Sequence, residues 1–368
     1  MRKGYKRILV VNTFGIGDVL FSTPLIRGLK ARMPDTNIDF MCNNRCQYVI
    51  QGNPNIDDII IFEKDEFREA FKKSKIGFIR MMLSFLRKIR KKRYDLAVDL
   101  SLGYQLSLIL KLLGVKERIG FNYRDRGRFL TKKLDIKGFV DKHVVEYYLD
   151  ILRLIGINNV TDKALELNPP AAAKEYADVF IKENKLEDKT LIAIAPGGGK
   201  SWGSAAPYRR WDCENFSFVA KELQQKKNNM FFIILGSPDE NMLCAAIEKD
   251  LGAKSINLCG SIPLTQVVAL IKKCTLMLCN DGGLLHIAVS QGIKTVSIFG
   301  PVDANIYGPY PPSGRNRVVV AKEVECRPCY SNFKHSTCYR HSCLREISKQ
   351  KFLDITEDIL GLKSAIYS

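Results

Sequence analysis

The chain has 368 residues, enough for two domains of ordinary size and for well-formed cores. Hydrophobic residues make up 46% and charged residues 26%, which excludes wholesale disorder and a collagen-like repeat. Lys+Arg 57 against Asp+Glu 39 gives a net charge of +18, which favours phosphate-bearing partners without choosing among nucleic acid, anionic lipid and anionic substrate.

The N-terminus carries Arg2, Lys3, Lys6 and Arg7 ahead of an apolar run, but that run, residues 8–11, is too short for the core of a secretory signal. No segment approaches the roughly 18–20 uninterrupted apolar residues that span a bilayer, so the chain is expected to lie on a membrane rather than cross it. Residues 7–12 read as a β-branched strand, followed by a glycine-bearing turn over 13–18 and a helix over 19–32 that stops before Pro34. Residues 37–41 and 58–62 read as further strands. Residues 95–99 give a buried strand, followed by an apolar helix over 105–113. Alternation of this kind, with continuous apolar strands, predicts an α/β fold with a parallel, doubly wound sheet.

Residues 167–174, LNPPAAAK, read as a Pro-Pro linker opening onto a helix, and the strand–turn pattern then restarts at 191–196. Strands are expected again at 231–235, 276–280 and 295–299. The division is therefore residues 1–170, residues 171–348, and a C-terminal segment 349–368 whose helix, over 349–360, can pack back on either half, the first included. No internal repeat and no low-complexity tract interrupts this plan.

In such sheets ligands bind beyond the carboxyl ends of the strands, where helix N-termini present free N–H groups. Four loops have that placement. The first, NTFGIGD, holds Thr13, Gly15, Gly17 and Asp18; the acid can serve chemistry or cap the next helix. The second, APGGGKS, runs on to Arg209-Arg-Trp211; its glycines, Gly197 and Gly198 among them, let backbone approach a phosphate, with Lys200 and arginine nearby. It lacks the upstream glycine of a Walker loop. The third, GSPDE, ends in Glu240, able to accept ribose hydroxyls or to stabilise a helix start. The fourth, NDGGLLH, places Asp281, Gly282, Gly283 and Leu284 ahead of His286, so that helix amides face a diphosphate; a histidine there is otherwise a satisfied core residue.

In order and spacing these four loops resemble the ADP-heptose:lipopolysaccharide heptosyltransferase family, inverting glycosyltransferases of the GT-B fold. The resemblance rests on ILVVNTFGIGDVLFSTPLIRGLK, APGGGKSW with RRW, LGSPDE, and CNDGGLLHIAVSQGIKTVSIFGPVD, and covers nearly the whole chain. It implies two Rossmann-like domains facing a cleft, the first (1–170) for the acceptor and the second (171–348) for the nucleotide-sugar donor. Asp18 matches the general base, and Thr13, Gly15 and Gly17 the acceptor-side loop. Arg209 stands where the family has lysine, pairing with donor phosphates. Glu240 matches the ribose-binding acid. Asp281, Gly283 and His286 match the Asp-x-Gly-x-x-His donor loop, with Gly282 and Leu284 inside it. The implied reaction transfers a heptosyl residue from ADP-heptose to a hydroxyl of the lipopolysaccharide inner core or a related glycolipid, without cofactor, by a monomer at the inner face of the cytoplasmic membrane.

Residues 1–160 hold 31 basic and 17 acidic side chains, a balance of +14, and residues 68–93 alone hold 11 basic residues and Glu69. Ile79, Met82, Leu86 and Ile89 fall at helical spacing beside the basic run, so residues 76–93 read as a basic amphipathic helix suited to an anionic membrane surface. Packing of this helix on its own domain is the plainer alternative. Arg124, Arg126 and Arg128 form a second basic group, suited to acidic or phosphorylated acceptor sugars. Of the 11 cysteines, most are scattered as in a reducing compartment, while Cys326, Cys329, Cys338 and Cys343 have a spacing compatible with structural zinc or with two thiol pairs. No nucleic-acid motif accompanies the basic charge, so nucleic acid is not expected as a partner. A sugar-nucleotide epimerase and a silent sugar-nucleotide-binding scaffold are the competing readings.

Overall fold

The computed structural model describes residues 4–199, 202–331, 333–334 and 337–362, and divides into two compact units, Met1–Asn168 and Pro169–Ser368. The first unit is built on six strands: β1 (Arg7–Val11), β2 (Asn37–Cys42), β3 (Asp58–Ile61), β4 (Leu96–Asp99), β5 (Glu117–Tyr123) and β6 (Lys132–Ile136). They pair in parallel in the order β3-β2-β1-β4-β5-β6. The second unit repeats the plan with β7 (Thr190–Ala195), β8 (Met230–Ile234), β9 (Ser255–Asn257), β10 (Leu276–Asn280), β11 (Lys294–Ile298) and β12 (Asn316–Val319), in the order β12-β11-β10-β7-β8-β9. Both are the doubly wound order, whose direction reverses between the first and fourth strands of each unit. The loops after β1 and β4, and after β7 and β10, therefore flank the two switch points.

The central strands are apolar along their length because helices cover both faces; Ile8 to Val11 and Ile192 to Ile194 are wholly buried. Expected strands lie within a residue or so of those observed, and the strands unread from sequence are informative. The edge strands β6 and β12 carry half-exposed, polar residues, and β9 is three residues long, so none shows an apolar run. Strand β5 is interrupted by Gly120, where a Cβ would lie 2.3 Å from the Asp99 carbonyl. The helix expected over 19–32 is two helices, Ile16–Phe21 and Thr23–Arg32. Pro24, which has no N–H to donate, opens the second, and Ser22 Oγ turns back to the Val19 carbonyl.

The closing helix, Lys349–Leu360, packs into the core of the second unit. Ser348 caps it by accepting the Lys351 N–H at 3.3 Å, and Gly361, at φ +69°, ends it. Phe352, Leu353 and Ile359 join the core built around β7, β8, β10 and β11, with Phe352 against Trp211 and Phe216 at ring separations of 5.0 and 6.0 Å. Lys226 pairs with the buried Glu357. Phe352→Ala is expected to destabilise the second unit by about 3–5 kcal/mol, read by chemical denaturation.

Candidate functional site

In the second unit the loops after β7, β8 and β10 are tied into one body. Asn280, the last residue of β10, donates from Nδ2 to the Pro196 carbonyl at 2.6 Å and accepts the Trp211 N–H at 3.1 Å. Two successive arginines then hold two successive carbonyls of the glycine loop. Arg209 Nη2 donates to the Gly198 oxygen at 2.9 Å and Arg210 Nε to the Gly197 oxygen at 2.7 Å. Each arginine also meets a buried carboxylate: Arg209 Nη1 lies 3.2 Å from Asp281 Oδ2, and Arg210 Nη2 3.6 Å from Glu240 Oε1. Burial raises the Asp281 carboxyl above its ordinary range, with the Arg209 charge and hydrogen bond acting against that rise.

Glu240, 3% exposed, is a fastener as well as a ligand candidate. Its Oε1 accepts the Gly199 N–H at 2.8 Å, while Oε2 accepts the Ser237 N–H at 2.7 Å and the Ser237 hydroxyl at 2.9 Å. A Cβ at Gly197 would lie 1.9 Å from Glu240 Oε1, and one at Gly282 would lie 2.6 Å from the Gly198 carbonyl, so these glycines are required by packing. Gly198 and Gly199 also stand at φ +81° and +80°. Gly283 opens the helix Gly283–Ser290, with Leu284 half-buried in its first turn and His286 buried on it. Lys200 lies outside the described residues. The arrangement gathers Gly197, Gly198, Arg209, Glu240, Asp281 and Gly282 at one switch point, where amides and guanidinium can receive a diphosphate. Arg210 was not singled out from sequence; its place beside Arg209 is the only signal.

In the first unit Asn12 organises the loop after β1: its Nδ2 donates to the Asp18 carbonyl at 2.9 Å and its Oδ1 accepts the Phe14 N–H at 3.2 Å. Asn43 Nδ2 donates to the Phe14 carbonyl at 2.6 Å. Asp18 Oδ2 accepts the Gly15 N–H at 3.2 Å, so the acid caps the helix it opens and is held at the mouth of the loop. Thr13, Gly15 and Gly17 are partly exposed beside it. Arg124, Arg126 and Arg128 are exposed in the turn after β5, where Arg124 lies 5.0 Å and Arg126 6.0 Å from the Tyr123 ring centre, and Arg128 4.5 Å from that of Tyr104. A concavity of 770 Å³ opens instead at the amino ends of the strands, among Tyr5, Arg32, Lys116 and Lys132, away from these loops.

Asp99, not singled out from sequence, ends β4 opposite Val11 of β1, at the switch point itself. It is 3% exposed; Oδ1 accepts the Ser101 N–H at 2.9 Å, and Oδ2 has no hydrogen-bond partner among the described residues. Its signal in the sequence is an acid closing an apolar strand in the fourth position of the unit.

Helix Lys75–Lys92 has two apolar faces. Ile89 is buried and Phe85 packs on the core beneath it, as the plainer reading expects, whereas Ile76, Ile79 and Leu83 stand exposed at 67%, 53% and 45%. Lys92 is spent internally, bridging Asp39 at 3.0 Å and Asp58 at 2.6 Å. All 11 cysteines are free thiols. Cys343 is buried, and burial together with Cys329, Cys326 and Cys338 pushes its thiol up to about 11. Among the described residues no group of three or more His, Cys, Asp or Glu is arranged to hold a metal.

Burial pushes the Asp99 carboxyl from its ordinary 3.8 up to about 6, so the folded state holds this proton more tightly than the unfolded chain. Asp99 therefore lowers stability as pH rises from about 4 to about 6, by about 3 kcal/mol in total, and then no further. Asp99→Asn is expected to remove that slope, measured by chemical denaturation between pH 4 and pH 7.5. An unchanged slope would assign it to other groups.

The family model for glycosyltransferase family 9 (heptosyltransferase) matches residues 82–340. The lipopolysaccharide heptosyltransferase 2 of Escherichia coli (strain K12) is 26% identical over 308 residues, covering 80% of this chain and 83% of that protein. Among solved structures, a family 9 glycosyl transferase from Veillonella parvula DSM 2008 superposes with a TM-score of 0.81 at 24% identity, covering 99% of each chain. The E. coli ADP-heptose lps heptosyltransferase II does so with a TM-score of 0.73 at 23% identity, covering 96% of this chain and 98% of that one. Two doubly wound units of the GT-B fold, joined at residue 168, thus carry a match that spans most of the chain, and the protein belongs to glycosyltransferase family 9, the heptosyltransferases.

Proposed function

We propose that this glycosyltransferase transfers a heptosyl residue, with inversion, from ADP-heptose to a hydroxyl of the lipopolysaccharide inner core or a related cell-surface glycolipid. The observation that carries the reading is the switch-point body of the second unit, in which Arg209, Asp281, Glu240 and the glycine amides are held together in a family 9 chain. The names of the relatives support the choice of lipopolysaccharide and ADP-heptose.

Asp18 acts as general base. A sugar hydroxyl has a very high pKa, so attack on the anomeric carbon calls for a carboxylate that takes its proton as the new bond forms, an effect of roughly 10²–10⁴-fold. The bond to the departing ADP oxygen breaks on the opposite side, which inverts the centre. Negative charge then gathers on the diphosphate, where Arg209 and the amides at Gly282 and Gly283 stabilise it. Glu240 receives the ribose while it fastens the loop. Arg124, Arg126 and Arg128, exposed over aromatic rings, attract an anionic acceptor.

The acceptor is membrane-borne in this reading, and helix Lys75–Lys92 brings the first unit to the anionic leaflet. Its exposed Ile76, Ile79 and Leu83 beside Arg80, Arg87, Lys88, Arg90 and Lys91 suit a surface of acyl chains under acidic headgroups. No helix of the described residues is long and apolar enough to cross a membrane.

Asp18→Asn is expected to lower kcat by about 10²–10⁴-fold while ADP-heptose still binds. The measurement is nucleotide release from ADP-heptose, other ADP-sugars, UDP-sugars and GDP-sugars, with and without core acceptor. Strict preference for a non-ADP donor refutes the heptosyl assignment. Donor binding with no release, unaltered by Asp18→Asn, indicates a silent scaffold, and turnover of donor alone an epimerase. Neutralising Lys88, Arg90, Lys91 and Arg93 is expected to abolish co-sedimentation with vesicles containing anionic lipid at physiological salt. Unchanged sedimentation sinks the membrane role of the helix.

A further inference from the structure

Arg209 is the last residue of a short 3₁₀ segment, Gly203–Arg209, which contains Pro207 and begins at a glycine with φ +55°. The hydrogen-bond geometry of such a segment is poorer than that of an α-helix, so what packs on its side chains helps to fix them. Two aromatic contacts do this. The Arg209 guanidinium lies 4.8 Å from the ring centre of Trp202, and the Trp202 ring stacks on Tyr330 at 4.8 Å with an interplanar angle of 26°. Tyr208 meets His341 edge-on at 4.9 Å.

Tyr330 and His341 both come from the cysteine-rich part of the chain, whose residues 327–330 are themselves anchored. The Cys329 and Tyr330 N–H groups donate to the Pro301 carbonyl at 3.0 Å each, and Arg327 Nε donates to the Gly300 carbonyl at 3.1 Å. Tyr330 also meets Tyr307 at 5.8 Å, and His341 Nε2 lies 2.8 Å from the Cys338 carbonyl oxygen. A column thus runs from the segment after β11, through Tyr330 and Trp202, to the guanidinium that also grips Asp281 and the Gly198 carbonyl.

We propose that Trp202 and Tyr330 are positioning residues that hold Arg209 in place for the donor diphosphate, so that this aromatic support sets affinity for the nucleotide. Neither ring needs to touch the nucleotide. A guanidinium on a three-methylene stem loses much rotamer freedom on binding phosphate, and an aromatic face that holds it beforehand removes that cost. The inference rests on the donor-site reading of Arg209 given above.

The test measures ADP affinity by calorimetry and separate KM values for donor and acceptor, in the full chain. Tyr330→Ala is expected to weaken ADP and raise donor KM by about 5–20-fold, with acceptor KM and melting temperature unchanged. Tyr330→Phe, which keeps the ring, restores wild-type values. In an Arg209→Ala background, Tyr330→Ala is expected to add no further loss, because both changes remove one interaction. If Arg209→Ala weakens ADP and Tyr330→Ala does not, the column has no role in binding. Additive losses, or equal rises in both KM values with a fall in melting temperature, also overturn the inference. If Arg209→Ala itself leaves ADP affinity unchanged, the donor-site reading fails and the inference with it.

Discussion

The buried pair between Arg209 and Asp281 is the constraint on which the second unit's chemistry depends. Both side chains are withdrawn from water, and a charge so placed is tolerated only when its partner and its remaining hydrogen bonds are supplied. Asp281 supplies one, the Gly198 carbonyl a second, and the Trp202 face a third contact. Because these partners come from the loops after β7 and β10, satisfying one guanidinium also fixes the distance between the two loops. The parallel arrangement of Arg210 with Glu240 and Gly197 extends the same logic to the loop after β8. The site is rigid because its charges cannot be satisfied separately.

The two units solve the same topological problem with different chemistry. Each places two loops at the reversal of strand order, and the second fills its switch point with the pairs Arg209–Asp281 and Arg210–Glu240. The first holds its loop with neutral amides, Asn12 and Asn43, and has two carboxylates there, Asp18, which accepts the Gly15 N–H, and the buried Asp99. In the proposed roles, a base must keep an accessible lone pair and a diphosphate site must keep its cations aimed; amide fastening suits the one and ionic fastening the other.

Much of this was legible in the sequence. The central strands are buried on both faces, so their apolar runs stand out, and glycines after strands mark the loops that ligands approach. Asp18, Arg209, Glu240 and Asp281 could be picked out because each sits in such a loop. Edge strands β6, β9 and β12 escaped, being short or half-exposed and so without an apolar signature. Asp99 escaped because an acid at a strand end looks like any surface acid until the strand's central position is known. Periodicity groups Ile79 with Met82, Leu86 and Ile89 in one stripe, but only the end at Ile89 is buried; spacing alone does not show where the domain's surface stops, and Ile79 stands exposed with Ile76 and Leu83. The support of Arg209 by Tyr330 joins residues 121 positions apart, which no local pattern encodes.

The way the Glu240 side chain fills the place of a Cβ at Gly197 has an evolutionary corollary. The carboxylate occupies the space a methyl group at 197 would need, so the two positions share one volume. A descendant of this chain can gain a side chain at 197 only if the one at 240 is shortened, removed or turned aside, and each of these gives up the fastening of Gly199 and Ser237 as well. Positions 197 and 240 should therefore drift together or not at all, a coupled pair whose joint change marks a lineage that has remade the loops after β7 and β8.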